Sequence, residues 1–240
     1  MKTWKQALWL AKFEWKVSAV NIFLCWIILS AIGLFYLTSF SDYLENNYVG
    51  FDIAFLLSFS AAPYWFRSKH FQYKEVSDHL HASPVLIMQT QLPIPKDVLA
   101  KSKLITYLAY LLPFMLTIFP VLYFINDSIR TTMDPPSYIV FSLIWIFYGL
   151  TLGVIFPASD AGDYTSPKIL FYYLLATFVV VMGLLLLFYF VFGFGIVAWT
   201  IMLAKDWTIL VIITLVMLTI VSWRLWPYYM KKTMQKLDYM

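Results

Sequence analysis

Residues 169–204 read ILFYYLLATFVVVMGLLLLFYFVFGFGIVAWTIMLA, thirty-six positions without a charged side chain. As one helix the run would be about 54 Å long at 1.5 Å per residue, against a bilayer core of about 30 Å. The stretch must therefore break. Phe192-Gly193-Phe194-Gly195 is the place, because each of the two glycines costs a helix interior about 1 kcal/mol. A full crossing over residues 168–191 precedes the break. Residues 196–204 follow it, apolar but too short to cross. They read as a re-entrant or interfacial helix, tolerated at membrane depth only where protein covers its ends.

Working outward, the remaining charge-free runs are 17–41, 53–66, 104–126, 135–159 and 207–223. They give expected crossings at 17–41, 46–66, 104–125, 138–157 and 207–226, six in all with 168–191. The second run is short, so its helix has to begin near Asn46 or Asn47. That draws Asp52 toward the outer interface, where it reads as an acid that ends the span. Only 12% of the residues are charged and 62% are apolar; soluble domains carry roughly 25% charge. A water-soluble globule is excluded, and the expected fold class is an all-α polytopic membrane protein forming a single domain over residues 1–240.

Six crossings place fifteen of the seventeen lysines and arginines on the side of the amino terminus, leaving Arg130 and Lys205 on the other. By the positive-inside rule both termini are cytoplasmic and the chain is a multi-pass protein of the cell membrane. Lys12, Glu14 and Lys16 interrupt what would be the apolar centre of a signal peptide, so the amino terminus is expected to be retained. On a helix, Trp4, Leu8, Ala11 and Trp15 form a stripe while Lys2, Lys5, Lys12 and Lys16 gather elsewhere. Such a segment lies in the inner interface against membrane lipid, its lysines toward anionic headgroups.

Much chemistry is missing. The chain has no phosphate-cradling G-x-x-x-x-G-K-[ST], no H-E-x-x-H and no G-x-S-x-G, and its crossings offer no carboxylate pair. An enzyme is not expected, nor a cofactor or metal: His79 and His81 are two apart and point to different sides of a helix. The lone Cys25 packs as a small hydrophobe. No nucleic-acid partner is expected. The scarcity of acids and bases within the crossings also disfavours an ion-coupled secondary carrier.

Polar character concentrates in residues 67–103. The first half, FQYKEVSDHLHA at residues 71–82, can place Phe71, Lys74, Glu75, Asp78 and His79 on one helix face, ended before Pro84. The second half, LPIPKDVLAKSK at residues 92–103, has the marks of a helix start. Proline suits the first turn, and Asp97 suits the positive end of the helix dipole.

With six crossings, a basic interfacial amino-terminal helix and this loop, the chain resembles the permease subunit of bacterial type-2 ATP-binding-cassette exporters. Ser83-Pro84-Val85 precedes the matching segment, in which Pro93, Ile94, Pro95, Lys96, Asp97, Leu99, Ala100 and Lys101 carry the likeness. Alanine stands at position 100 where many members have glycine. The family's re-entrant segment is matched in position by residues 192–206.

The resemblance implies a separate cytoplasmic ATPase subunit seated on the inner loop and a second permease, identical or related, completing the pathway. It implies coupling through Lys74, Glu75, Asp78 and His79, with Lys96 and Asp97 beside them. For the pathway it points to the second and fifth crossings, where the chain offers Phe55, Phe59, Tyr172, Tyr173, Phe178 and Met182. Crossings without fixed charge suit an apolar or amphipathic cargo such as a peptide, a drug or a lipid-like molecule. A membrane immunity or sensor subunit that transports nothing is the rival reading.

Overall fold

The computed structural model describes residues 2–61, 64, 67–77 and 79–237. Helix α1 (Lys2–Val17) turns at Ser18 into α2 (Ala19–Asn46), and the backbone ladder survives the turn: Ser18 N–H donates to Glu14 O and Ile22 N–H to Ser18 O, both at 2.9 Å. Asn47 stops α2 by adopting the left-handed conformation (φ 48°, ψ 48°), one that asparagine tolerates better than most residues.

The next helix, α3 (Val49–Ser58), is shorter than the continuous 46–66 helix expected, and α2 takes Asn46 for itself. Serine chemistry explains the early end. Ser58 Oγ donates to Ala54 O at 2.7 Å and Ser60 Oγ to Leu56 O at 2.8 Å, a side-chain competition that loosens helices. Two tyrosines help satisfy the carbonyls of this region: Tyr148 donates to Leu56 O at 3.3 Å, and Tyr107 to Ser60 O at 3.3 Å and Gly149 O at 2.8 Å. Backbone leaving a helix among apolar groups needs such partners.

The loop that follows departs from expectation. Residues 71–82 do not form a helix face. Strands β1 (Lys74–Ser77) and β2 (Leu80–Ala82) make an antiparallel hairpin, extended by β3 (Asp163–Tyr164) in the order β1-β2-β3. Lys74 pairs with Ala82 and Glu75 with His81, with a register shift before Ser77. His79 takes φ 66° at the tip. A distant segment supplies the deciding ladder: Leu80 pairs with Tyr164, and Thr165 N–H donates to His79 O at 2.9 Å. Gly162, at φ 92°, makes the approach possible, since a Cβ there would sit 2.6 Å from Ala82 Cβ. Pro84 begins a helix, α4 (Pro84–Thr90), instead of ending one.

Helix α5 (Lys96–Ile125) is the central post, with Pro95 at its N-cap and Asp97 in its first turn as the sequence suggested. After α6 (Asp127–Thr132) come α7 (Pro135–Leu152) and α8 (Ile155–Ser159), then α9 (Pro167–Leu187), which ends in a π-helical turn at Phe188–Phe192. The break falls at the glycines, with Gly193 at φ 75°. Helix α10 (Ile196–Asp206) is short. Helix α11 (Thr208–Lys236) continues about ten residues beyond the expected end of its crossing at Trp226.

Among the described residues, five helical stretches are long and apolar enough to cross a membrane: α2, α5, α7 with α8, α9 with its π turn, and α11. The architecture is that of an all-α polytopic membrane protein. Its core is aromatic. Phe55 meets Trp145 edge-on at 4.6 Å, Phe59 stacks on Phe119 at 5.0 Å, and Tyr43 stacks on Phe51 at 4.3 Å. At the end carrying α1 lies a second, smaller core of Ala7, Leu10, Leu86, Val98, Leu99, Ala161, Met230 and Met234. We call this the basic end. Here α1 turns Ala7, Leu10, Ala11 and Glu14 inward, so Ala11 belongs to the packed seam and not to an exposed stripe with Trp4 and Leu8.

Candidate functional site

Beside the small core, five polar side chains from four parts of the chain meet out of water. Glu14 comes from α1, Tyr64 and Arg67 from the segment after α3, Lys103 from α5, and Asp160 from the end of α8; all are buried. Arg67 grips Asp160 with two parallel bonds at 2.8 and 3.0 Å, the planar geometry for which a guanidinium is suited. Its third nitrogen donates to Tyr64 O at 3.2 Å, and the guanidinium lies 3.3 Å from the Tyr64 ring centre. Tyr64 OH donates to Asp160 at 2.6 Å.

Lys103 donates to Glu14 at 2.9 Å and lies 3.7 Å from Asp160, while Arg67 reaches Glu14 at 3.4 Å. Two acids thus face two bases, and the cluster is neutral. Burial by itself would favour loss of the Arg67 proton, but the Asp160 carboxylate, helped by Tyr64 and Glu14, more than offsets this and holds the guanidinium above its ordinary range. A cavity of about 340 Å³ adjoins the cluster, lined by Tyr64, Arg67, Gln72, Tyr73, Phe156, Ser159 and Asp160.

Mechanically the cluster is a knot. It joins α1, the exit of α3, the entry of α5 and the end of α8. The hairpin hangs from the same place, because β3 follows Asp160 within three residues and Ser83 N–H donates to Asp160 O at 3.1 Å. Buried ion pairs contribute little net stability against an apolar alternative, yet breaking one partner costs about 3–5 kcal/mol. An arrangement of this kind fixes relative positions more than it adds stability.

The residues expected to couple fall into two groups. Lys74 and Glu75 lie on the exposed hairpin, where His79 Nδ1 stands 3.6 Å from Glu75. Asp78 lies outside the described residues. Lys96 and Asp97 sit apart from these and bind the far end of α11: Lys96 donates to Met234 O at 2.7 Å, and Asp97 pairs with Lys101 and, at 3.3 Å, with Lys231. The pathway residues divide as well. Phe55 and Phe59 are fully buried in the aromatic core, whereas Tyr172, Tyr173 and Phe178 are exposed on α9 and Met182 is half-buried there.

Sequence reasoning missed the ion cluster. Its one available signal was Glu14, a lone acid in a lysine-rich helix. Asp52, expected near the outer interface, is 2% exposed within the protein. No protein-family model, curated protein or solved structure matches the chain.

Proposed function

We propose that the chain is the membrane-spanning permease subunit of an ATP-driven exporter in the cell membrane, with residues 46–66 making a second crossing and α10 a re-entrant helix. In this reading the basic end faces the cytoplasm and both termini lie there. The chain carries no nucleotide-binding loop, so a separate ATPase subunit supplies the work. Crossings in which fixed charge is scarce suit an apolar or amphipathic cargo: a peptide, a drug or a lipid-like molecule.

The observation that carries the reading is the union of an exposed polar hairpin with the buried ion cluster. A load applied to the hairpin passes through β2 and β3 to Asp160, and from there through Arg67, Glu14 and Lys103 to the segment after α3, α1 and α5. A permease driven from outside its own chain needs such a transmission. Helix α9 supports a second permease at its side, because Leu185 is its only buried residue.

Gentle solubilisation followed by affinity purification tests the assignment directly. A stoichiometric P-loop ATPase is the expected companion, and its absence would count against the proposal. Within such a complex, Glu75→Lys is expected to weaken transport-coupled ATPase stimulation about tenfold, equivalent to about 1.4 kcal/mol at the interface, with membrane insertion intact. Unchanged stimulation and transport would remove Glu75 from the coupling surface.

A further inference from the structure

We infer that Asp52 is a positioning residue that seats α10 on α2 and α3 at the end of the molecule opposite the ion cluster. The inference stands apart from the transport reading. The first turn of any helix leaves backbone N–H groups without partners inside the helix. In α10 the N-cap is Gly195, which has no side chain to supply an acceptor. The acceptors come from far away in sequence. Asp52 accepts from Val197 N–H at 2.8 Å, and Tyr43 OH accepts from Ala198 N–H at 3.1 Å. Tyr43 in turn donates to the same Asp52 oxygen at 2.7 Å.

Asp52 also occupies the first turn of α3, so one carboxylate stands at the positive ends of two helices. Both dipoles favour a negative charge there, while burial at 2% exposure opposes it. The fit is close: a Cβ on Gly195 would lie 2.2 Å from Tyr43 OH and 2.3 Å from an Asp52 oxygen. Glycine at 195 is therefore required by the seat, since its own φ of −75° is open to any residue. Further along, Trp145 Nε1 donates to Thr200 Oγ1 at 3.2 Å and ties α10 to α7. Helix α10 thus has two independent attachments, a carboxylate seat at its start and an indole tether at its middle.

The test is amide hydrogen exchange at single-residue resolution on the purified full-length protein in lipid nanodiscs. In Asp52→Ala, exchange at Val197 is expected to rise at least about tenfold by local opening, with α5 amides unchanged. Asp52→Asn keeps an acceptor but loses the charge, and an intermediate rise is expected. Tyr43→Phe removes one hydroxyl without a cavity, and should accelerate Ala198 more than Val197. Wild-type exchange at Val197 in Asp52→Ala would overturn the seat, and wild-type exchange in Asp52→Asn would overturn the role of charge. Should Asp52→Ala fail to fold, Tyr43→Phe decides: unchanged exchange at Ala198 overturns the assignment.

Discussion

Arg67→Ala is expected to destabilise the protein by about 3–5 kcal/mol, the cost of leaving a buried carboxylate without its partner. At this chain length that corresponds to a fall in thermal midpoint of roughly 6–20 °C. The loss falls chiefly on Asp160, which would keep Tyr64 OH at 2.6 Å and Lys103 at 3.7 Å but lose both guanidinium bonds. Removing the charge from both partners should hurt less than removing one. In Arg67→Met combined with Asp160→Asn, Glu14 and Lys103 still neutralise each other at 2.9 Å, and the amide still offers Tyr64 an acceptor. The double variant is expected to recover at least half of the lost midpoint. A midpoint lower than that of either single variant would show that the four charges do not act as compensated pairs.

Gly149→Val should be nearly as damaging, for a steric reason. A Cβ at this position would lie 2.5 Å from the Phe59 carbonyl oxygen, 2.7 Å from Met115 and 2.9 Å from Leu111. Side chains can move aside, but the Phe59 carbonyl belongs to backbone that has just left α3 and is held in place by its neighbours. Gly149 O is also the acceptor for Tyr107 at 2.8 Å, so forcing α7 away removes a buried hydrogen bond too. Overpacking of this sort costs about 1–3 kcal/mol, and the lost bond adds about 1 kcal/mol. The effect is read as loss of the monodisperse peak in size-exclusion chromatography after mild heating. Gly183→Ala is the matched control, because nothing lies within 4 Å of a Cβ there. Helix propensity then makes that change neutral or slightly stabilising. Equal damage at both positions would refute the packing argument.

These two sites mark where sequence reading reached and where it stopped. Five of the six expected crossings, all but 46–66, coincide with helices long and apolar enough to span, because membrane span is a length and charge criterion. The break at Gly193 and Gly195 followed from the same arithmetic, as did the start of α5 near Pro95. The hairpin was not legible. Residues 71–82 contain nothing that forbids a helix, and the ladder that wins is contributed by Asp163 and Tyr164, more than eighty residues later. The ion cluster was hidden for a related reason: Arg67 and Lys103 look like ordinary boundary cations until Glu14 and Asp160 are brought to them. Asp52 was visible as an anomaly in a short apolar run, but its partners, the Val197 amide and the Tyr43 hydroxyl, are features of the folded chain.

The neutrality of the cluster also depends on the last of its four charges in chain order. A chain is made from its amino terminus, so Glu14, Arg67 and Lys103 all emerge before Asp160. Until then two cations share a single acid, and one positive charge has no counterion in what will become the interior. Closing the early helices on one another without Asp160 would bury one cation with no counterion, at a cost of about 3–5 kcal/mol. Asp160 is thus the last of the four charges to be made, and it closes two joints with one residue: its side chain bonds Arg67 while its backbone carbonyl accepts from Ser83 beside the hairpin.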